Sequence, residues 1–305
     1  MSVAVLIPTY RRNDALADAV RSALDQTRRP DEIVVVDNDP QGGARETVAQ
    51  LADNATVKIV YVHEAKPGVS NARNTGFART DARFIAQLDD DETADPTWLE
   101  ALLSAREALN VPVLFGPVLA QVSSQVIGKV RSAYMQRLYS RLGPSEDCVI
   151  EAPHGCGNAL FDRDALNLPD PVFDPSANEI GGEDDLLFAK LKANGAQFGW
   201  AGQARVFEHV QTPRQSWFKL LERSFAYGQG PTQACASTTP ANWAGVMGWM
   251  AVGAAQLTLF GLVSPFARIH SAQAAASCLD RAAQGLGKLI WFEAVSPRLY
   301  GANAV

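Results

Sequence analysis

The chain has 305 residues, 47 % of them hydrophobic, with a formal net charge of −6. That length holds one large α/β domain with an appendage, or two modest domains; the apolar content excludes wholesale disorder, and the acidic balance argues against sequence-independent nucleic-acid binding, which needs a basic footprint. The four cysteines, Cys148, Cys156, Cys235 and Cys278, form no CxxC pair, so neither a zinc site nor a disulfide framework is indicated and a reducing cytoplasm fits.

Val3–Ile7 is a short apolar run that reads as a buried parallel strand. No basic segment or cleavage site precedes it, so no signal peptide is expected. Asn13 is placed to cap a helix whose apolar face is Leu16, Val20, Ala23, Leu24 and Thr27. Ile33–Val36 is a second strand, followed by a helix around Ala44–Ala52, and Val57–Val62 is a third. A helix over Val69–Arg79 leads to a fourth strand, Phe84–Leu88. The alternation predicts a mostly parallel sheet with helices on both faces, whose ligands bind beyond the carboxyl ends of the strands. Pro96 opens a helix bearing Trp98, Leu99, Leu102 and Leu103. Val111–Val122 is strand-like but broken by Pro112, Gly116 and Pro117, and Val126–Leu142 reads as a basic, aromatic helix that includes Arg141. A turn-rich segment over 150–182 leads to a helix near Asp184–Ala193, a short strand Arg205–His209 and a helix over Ser216–Tyr227. Pro231–Ala267 contains no Asp, Glu, Lys, Arg or His, and Ala272–Phe292 has amphipathic helical spacing.

Three predicted strands end in reactive polar groups: Thr9-Tyr10-Arg11, Asp37-Asn38-Asp39 and Asp89-Asp90-Asp91. Adjacent carboxylates repel and invite a compensating cation; an oxygen-only set suits Mg²⁺ or Mn²⁺, which take one or two carboxylates plus phosphate oxygens and water. The same triplet also reads as a solvated acidic turn. Gly182-Glu183-Asp184-Asp185 places acids at a helix N-terminus, which they complement electrostatically; the functional reading is a general base for a hydroxyl. Gly68–Asn74 opens a helix where free N–H groups and Arg73 can meet an anion. His209, at a strand end, reads either as a packed structural histidine or as a group completing a metal site.

Six segments in this order resemble the inverting glycosyltransferases of family two, which have the GT-A fold: Ile7-Pro8-Thr9-Tyr10-Arg11-Arg12, Val34–Asn38, Gly68–Gly76, Leu88–Glu92, Gly155-Cys156-Gly157-Asn158 and Gly181–Asp184. The resemblance covers roughly residues 1–230 and is nearest to bacterial enzymes that build exopolysaccharide repeat units on a lipid carrier. It implies a GT-A domain over 1–230, with a nucleotide-sugar half (1–115) and an acceptor-side half (116–230), and a helical appendage over 231–305. It implies that Asp184 is the catalytic base with Glu183 beside it, and that Asp91 and Asp89 hold a Mn²⁺ or Mg²⁺ ion; His209, from its place at a strand end, is expected near that metal. Pro8, Thr9, Tyr10, Arg11, Asp37, Asn38, Arg73, Asp89 and Asp90 then line the nucleotide. Many relatives carry Asp where Asn38 stands, which leaves UDP as the expected nucleotide while opening the question of the base.

The implied reaction moves a sugar from a nucleotide-sugar donor to a hydroxyl of a glycan or lipid-linked saccharide. A nucleotidyltransferase would show a Gly-rich, basic loop where Pro8-Thr9-Tyr10 stands, and an NAD-dependent oxidoreductase would show GxGxxG there. A non-catalytic sugar-nucleotide-binding module would lack the base, and Asp184 is present. The uncharged stretch is long enough for a bilayer. However, a single span would place Arg268, Arg281 and Lys288 across the membrane from the domain that needs cytoplasmic sugar nucleotide. The expectation is a peripheral or monotopic attachment to the cytoplasmic face of the inner membrane.

Overall fold

The computed structural model describes residues 1–122, 127–178 and 182–297. Gly181 and Val126, which belong to expected elements, and the last eight residues of the expected appendage lie outside them. The chain divides into two compact units, one formed by Met1–Leu119 with Arg141–His209, the other by Ala120–Ser140 with the chain from Val210 onward.

The first unit is built on a sheet of order β3 (Lys58–His63), β2 (Glu32–Asp37), β1 (Val3–Thr9), β4 (Phe84–Gln87), β9 (Ala159–Asp162), β6 (Val113–Phe115), β10 (Phe198–Trp200), β8 (Cys148–Ile150). The first four strands are parallel, as are β6 and β10. β9 runs antiparallel between β4 and β6, and β8 is an antiparallel edge. Val3–Ile7 are fully buried because helices cover both faces. Val3, Val5, Ile7, Ile33 and Val35 face a core closed by helices α1 (Asn13–Leu24), α2 (Arg45–Ala52) and α4 (Trp98–Leu109). The alternate residues Leu6, Val34 and Val36 face α3 (Val69–Arg79) and the helix Glu183–Ala193. α3 lies so close to β1 that a Cβ on Gly76 would sit 2.2 Å from Leu6 Cδ1. A second, three-stranded sheet joins β5 (Glu92–Ala94), β11 (Val206–His209) and β7 (Val118–Gln121).

The βα alternation and the break at Gly116-Pro117 match the sequence reading. Two points differ. Residue 12, not Asn13, is the N-cap of α1 and makes no side-chain cap bond; the Asn13 amide donates to the Gly43 carbonyl at 3.0 Å instead. The segment expected to be turn-rich contains β9, which sits in the middle of the sheet. Four residues are too few to show a periodicity, and burial of all four removes the polar alternation that would have marked them.

The second unit consists of the helices Lys129–Tyr139, Trp217–Ala236, Trp243–His270 and Ala272–Leu289. Glycines bring the last three close together: a Cβ on Gly253 would lie 2.7 Å from the Gly285 carbonyl, and one on Gly287 2.1 Å from the Phe225 carbonyl. Polar bonds join the same bundle, with Tyr134 Oη and Ser224 Oγ 2.7 Å apart and Arg137 donating to Asp280 at 2.6 Å. The most apolar 18 residues of Trp243–His270 have a mean hydropathy of 1.6, and the helix is long and apolar enough to cross a membrane. Of its residues only Val246, Gly253 and Ala267 are buried. Trp243, Met247, Leu259, Leu262, Phe266 and Ile269 are exposed.

Asp162 at the end of β9 is fully buried and held by Arg83, through Nε and Nη2 at 2.9 Å each, and by Arg106. Burial alone would raise its pKa; the two arginines outweigh that and hold the carboxyl below its ordinary value. The pair's contribution to stability is therefore complete above the unfolded aspartate value of about 3.9 and is lost as pH falls through the lowered folded value. Asp162→Asn should destabilise the fold by about 3 kcal/mol at neutral pH, and its urea midpoint should depend less on pH than the wild type's in the acid range.

Candidate active site

The carboxyl ends of β1, β2 and β4 converge on an acidic cluster. Thr9 Oγ1 donates to Asp90 Oδ2 at 2.8 Å, the Tyr10 N–H reaches the same oxygen at 3.3 Å, and Arg12 Nη1 donates to both Asp90 Oδ1 (2.9 Å) and Asp91 Oδ2 (2.8 Å). Burial raises the Asp90 carboxyl above the ordinary range; Arg12 and Thr9 pull it down, while Asp91 and Asp89 push it up. Asp90 is thus a buried link between β1 and β4. Asp89 is the more open member, with a third of its side chain exposed (35 %).

Arg73, buried on α3, reaches in two directions. It is paired with Glu183 at the start of the helix Glu183–Ala193, and its Nη2 is 3.4 Å from Asp89 Oδ1. Its Nε is buried without a partner among the described residues. Burial and the nearby Asp184 and Asp89 raise the Glu183 carboxyl, against the pull of Arg73. Asp184, half-buried beside it, accepts from the Cys156 N–H at 3.2 Å and from the Asp185 N–H at 2.9 Å. Arg73 therefore ties the expected metal-side acid Asp89 to Glu183, the neighbour of the expected base.

The loop carrying Cys156 is fixed by a residue to which the sequence assigned no role. Arg141 donates from Nε to the Gly116 carbonyl at 3.1 Å, from Nη1 to Gly155 at 2.8 Å, and from Nη2 to Gly157 and Asn158. Asn158, at φ 56°, is fully buried; its amide donates to the Pro117 and Ala204 carbonyls and its oxygen accepts from Trp98 Nε1 at 2.7 Å. Gly157 lets the Asp89 carboxylate sit against the loop, since a Cβ there would lie 2.7 Å from Asp89 Oδ2 and push it aside. Glu92, buried beneath, accepts from the Asp89 N–H at 3.2 Å. Burial, Asp89, Glu208 and Asp91 raise its carboxyl well above the usual value, against Arg141. Arg12, Glu92 and Asn158 stood in the motifs quoted above without roles, and Arg141 stood only in a list of helical basic residues. The signal that finds the two arginines is the accumulated charge, which demands cations, rather than spacing.

The remaining expected positions are placed as follows. Pro8 lies within β1, paired with Val36. The Asp37 carboxylate accepts from the Asp39 and Ala44 N–H groups and from Tyr61 Oη, so it closes the turn after β2. The Asn38 amide donates to the Glu64 and Lys66 carbonyls, and its oxygen accepts from the Gly68 N–H at 2.7 Å. Arg11, at φ 57°, turns outward to Asp39 and Gln41 with its guanidinium over the Tyr10 ring. The β5–β11 pairing brings the His209 N–H to the Asp91 carbonyl at 2.8 Å, while the imidazole Nε2 lies 3.0 Å from Thr93 Oγ1.

Among the described residues no three His, Cys, Asp or Glu side chains are gathered into a metal cage. The donor set nevertheless fits a hard divalent ion held by one or two carboxylates and completed by substrate phosphates. Asp89 is accessible, and Asp91 already carries a positive group, Arg12, on Oδ2.

Comparison with known proteins agrees with this architecture. The family model described as glycosyl transferase family 2 matches residues 4–168. The succinoglycan biosynthesis protein ExoM of Rhizobium meliloti is 33 % identical over 224 residues, 72 % of this chain and 71 % of that protein. The UDP-Glc:alpha-D-GlcNAc-diphosphoundecaprenol beta-1,3-glucosyltransferase WfgD of Escherichia coli is 28 % identical over 54 % of this chain and 62 % of its own length. ExoO of Rhizobium meliloti is 26 % identical over 68 % of this chain and 61 % of its own. The chain belongs to glycosyl transferase family 2. The family is one of glycosyltransferases, and the relatives ExoM and ExoO are named for succinoglycan biosynthesis.

Arg141→Met keeps an unbranched apolar stem but removes the guanidinium and orphans its carbonyl partners. It should lower stability by roughly 3 kcal/mol in urea unfolding. Because the loop it holds carries the Asp184 contact, sugar transfer should fall by about a hundredfold while the dissociation constant of the nucleotide changes far less.

Proposed function

We propose that this glycosyltransferase moves a sugar from a UDP-sugar to a hydroxyl of a glycan or lipid-linked saccharide, with inversion at the anomeric carbon. The observation that carries the reading is the Asp89–Arg73–Glu183 network, which couples the acids at the end of β4 to the helix start bearing Asp184. WfgD, by its name, uses UDP-Glc and a diphosphoundecaprenol-linked sugar, which supports both substrate classes here.

In this reading the half-buried Asp184 accepts the proton of the acceptor hydroxyl. The freed oxygen attacks the anomeric carbon from the side opposite the diphosphate, and one displacement inverts the centre. Cys156 N–H orients the base, and Glu183 holds Arg73 beside Asp89. Thr9, Tyr10 and Asp90 form the floor at the end of β1. Asp37 and Asn38 act on the nucleotide by fixing the turn 37–44 and the loop 64–68 rather than through spare side-chain atoms. A Mn²⁺ or Mg²⁺ ion held by Asp91 and Asp89, with His209 alongside, would neutralise charge on the leaving diphosphate.

Two substitutions separate the roles. Asp184→Asn should cut transfer by between about a hundred- and ten-thousandfold and leave nucleotide binding near wild type, because the base meets only the acceptor. Asp91→Asn should lower turnover by about a hundredfold or more and also weaken Mn²⁺-dependent donor binding. If calorimetry shows donor affinity collapsing in Asp184→Asn while turnover persists, the assignment of the base is wrong.

We further propose that the second unit attaches the enzyme to the cytoplasmic face of the inner membrane without crossing it. Trp243–His270 is about 42 Å long at 1.5 Å per residue and exposes apolar side chains along its whole length. Its buried stripe meets Ala272–Leu289 through Gly253 and Gly285. That second helix carries Asp280, buried and paired with Arg137. A full span would draw this ion pair toward hydrocarbon, whereas a flat, immersed helix leaves it on the protein side. The protein should sediment with membranes, and Leu259, Leu262 and Phe266 changed together to Ser should release it. An impermeant thiol reagent should reach cysteines placed at Asn242 and Ser271 from the same side of the bilayer; opposite-side labelling would establish a span.

A further inference from the structure

Arg12 makes an unusual contact for a residue at the mouth of a metal-dependent site. Both of its bonds to the acidic cluster leave from one nitrogen, Nη1, to Asp90 Oδ1 and Asp91 Oδ2. A guanidinium has five N–H donors in a rigid fork, so these two carboxylates do not saturate it. The two acids are almost fully buried, but the Arg12 side chain is about a third exposed (32 %). It hangs from the N-cap of α1, directly after Arg11 in the left-handed conformation, at the carboxyl end of β1 where ligands of such sheets bind. The acids are therefore fixed and the cation is the part with freedom to move.

We propose that Arg12 competes with the divalent cation for Asp91: its guanidinium neutralises Asp90 and Asp91 while the site is empty of nucleotide, and passes to the donor's diphosphate when nucleotide and metal enter together. This rests on the reading of Asp91 as a metal-side ligand. Two consequences follow from charge alone. Without nucleotide, an ion approaching Asp91 has to displace a guanidinium already bonded there, so its apparent affinity is reduced by the fraction of molecules in which Arg12 has let go. With nucleotide, the diphosphate offers Arg12 a stronger partner of matching fork geometry, and Asp91 is released to the ion. Nucleotide and metal then favour each other's binding by the same factor. Such an arrangement keeps the acidic cluster neutralised at all times and makes bare metal loading unfavourable.

The test is Mn²⁺ binding followed by the electron paramagnetic resonance signal of free Mn²⁺, with Mn²⁺ alone and with saturating UDP. Wild type should bind Mn²⁺ weakly alone and at least about tenfold more tightly with UDP. Arg12→Gln should bind Mn²⁺ alone about tenfold more tightly than wild type, and the gain from UDP should shrink toward none. Mn²⁺ alone should also raise the unfolding temperature of Arg12→Gln more than that of wild type, since the ion replaces a missing internal cation. Arg12→Lys, which keeps the charge but lacks the fork, should fall between the two and serves if Arg12→Gln does not fold. Unchanged Mn²⁺ affinity in both variants, with UDP coupling intact, overturns the role of Arg12 and leaves the metal reading standing. A wild type that binds no Mn²⁺ even with UDP overturns both.

Discussion

The site's organising constraint is like-charge repulsion. Asp89, Asp90, Asp91, Glu92, Glu183 and Asp184 meet where β4, the strand after it and a helix start come together, several of them buried. Two unit charges 4 Å apart cost about 4 kcal/mol at the effective dielectric of a protein surface, and each buried carboxylate adds desolvation. The fold answers with three arginines drawn from separate places: Arg12 from the end of β1, Arg73 from α3 and Arg141 from the chain after Lys129–Tyr139. Each holds a different part of the cluster. Arg12 binds the triplet, Arg73 ties the triplet to the helix bearing Asp184, and Arg141 fixes the loop whose backbone touches Asp184. Arg73 is buried, Arg141 is engaged with backbone carbonyls, and Arg12 keeps about a third of its side chain exposed (32 %).

The parallel half of the sheet was legible because Val3–Ile7 and Ile33–Val36 are uninterrupted apolar runs with helical spacings between them, a pattern with few structural solutions. The acids were legible because carboxylates crowded at a strand end are costly without a purpose. What escaped was non-local. β9 has four residues and is recognisable only through its partners β4 and β6. Asp162 reads as an ordinary surface acid until Arg83 and Arg106 are seen around it. Arg141 reads as one more basic residue near a helix, and its work depends on carbonyls of Gly116 and Gly155–Asn158 that no local pattern connects to it. Asp37 and Asn38, marked in the sequence for a ligand, also bond to the loops around that position, which no local pattern reveals.

The C-terminal region was legible by composition, as a stretch without charge, but its construction was not. Gly253, Gly285, Gly228 and Gly287 lie where backbones touch, and a Cβ on any of them would meet another helix's main chain. In sequence they look like ordinary small residues. Close backbone approach leaves little room for intervening side chains, so the large apolar groups of Trp243–His270 are turned outward.

The order in which the chain visits its two units has a practical corollary. The helix Lys129–Tyr139 is inserted between halves of the first unit, yet its buried Tyr134 and Met135 belong to a core completed by Leu220 and Ala276, far along the chain. A shortened protein ending near residue 230 would keep the inserted helix and lose Ala276 and the Asp280 partner of Arg137, presenting a raw apolar surface in the middle of an otherwise intact transferase. Removing the exposed apolar surface therefore calls for internal redesign, repainting the outer side of Trp243–His270 with polar residues, and not for a stop codon.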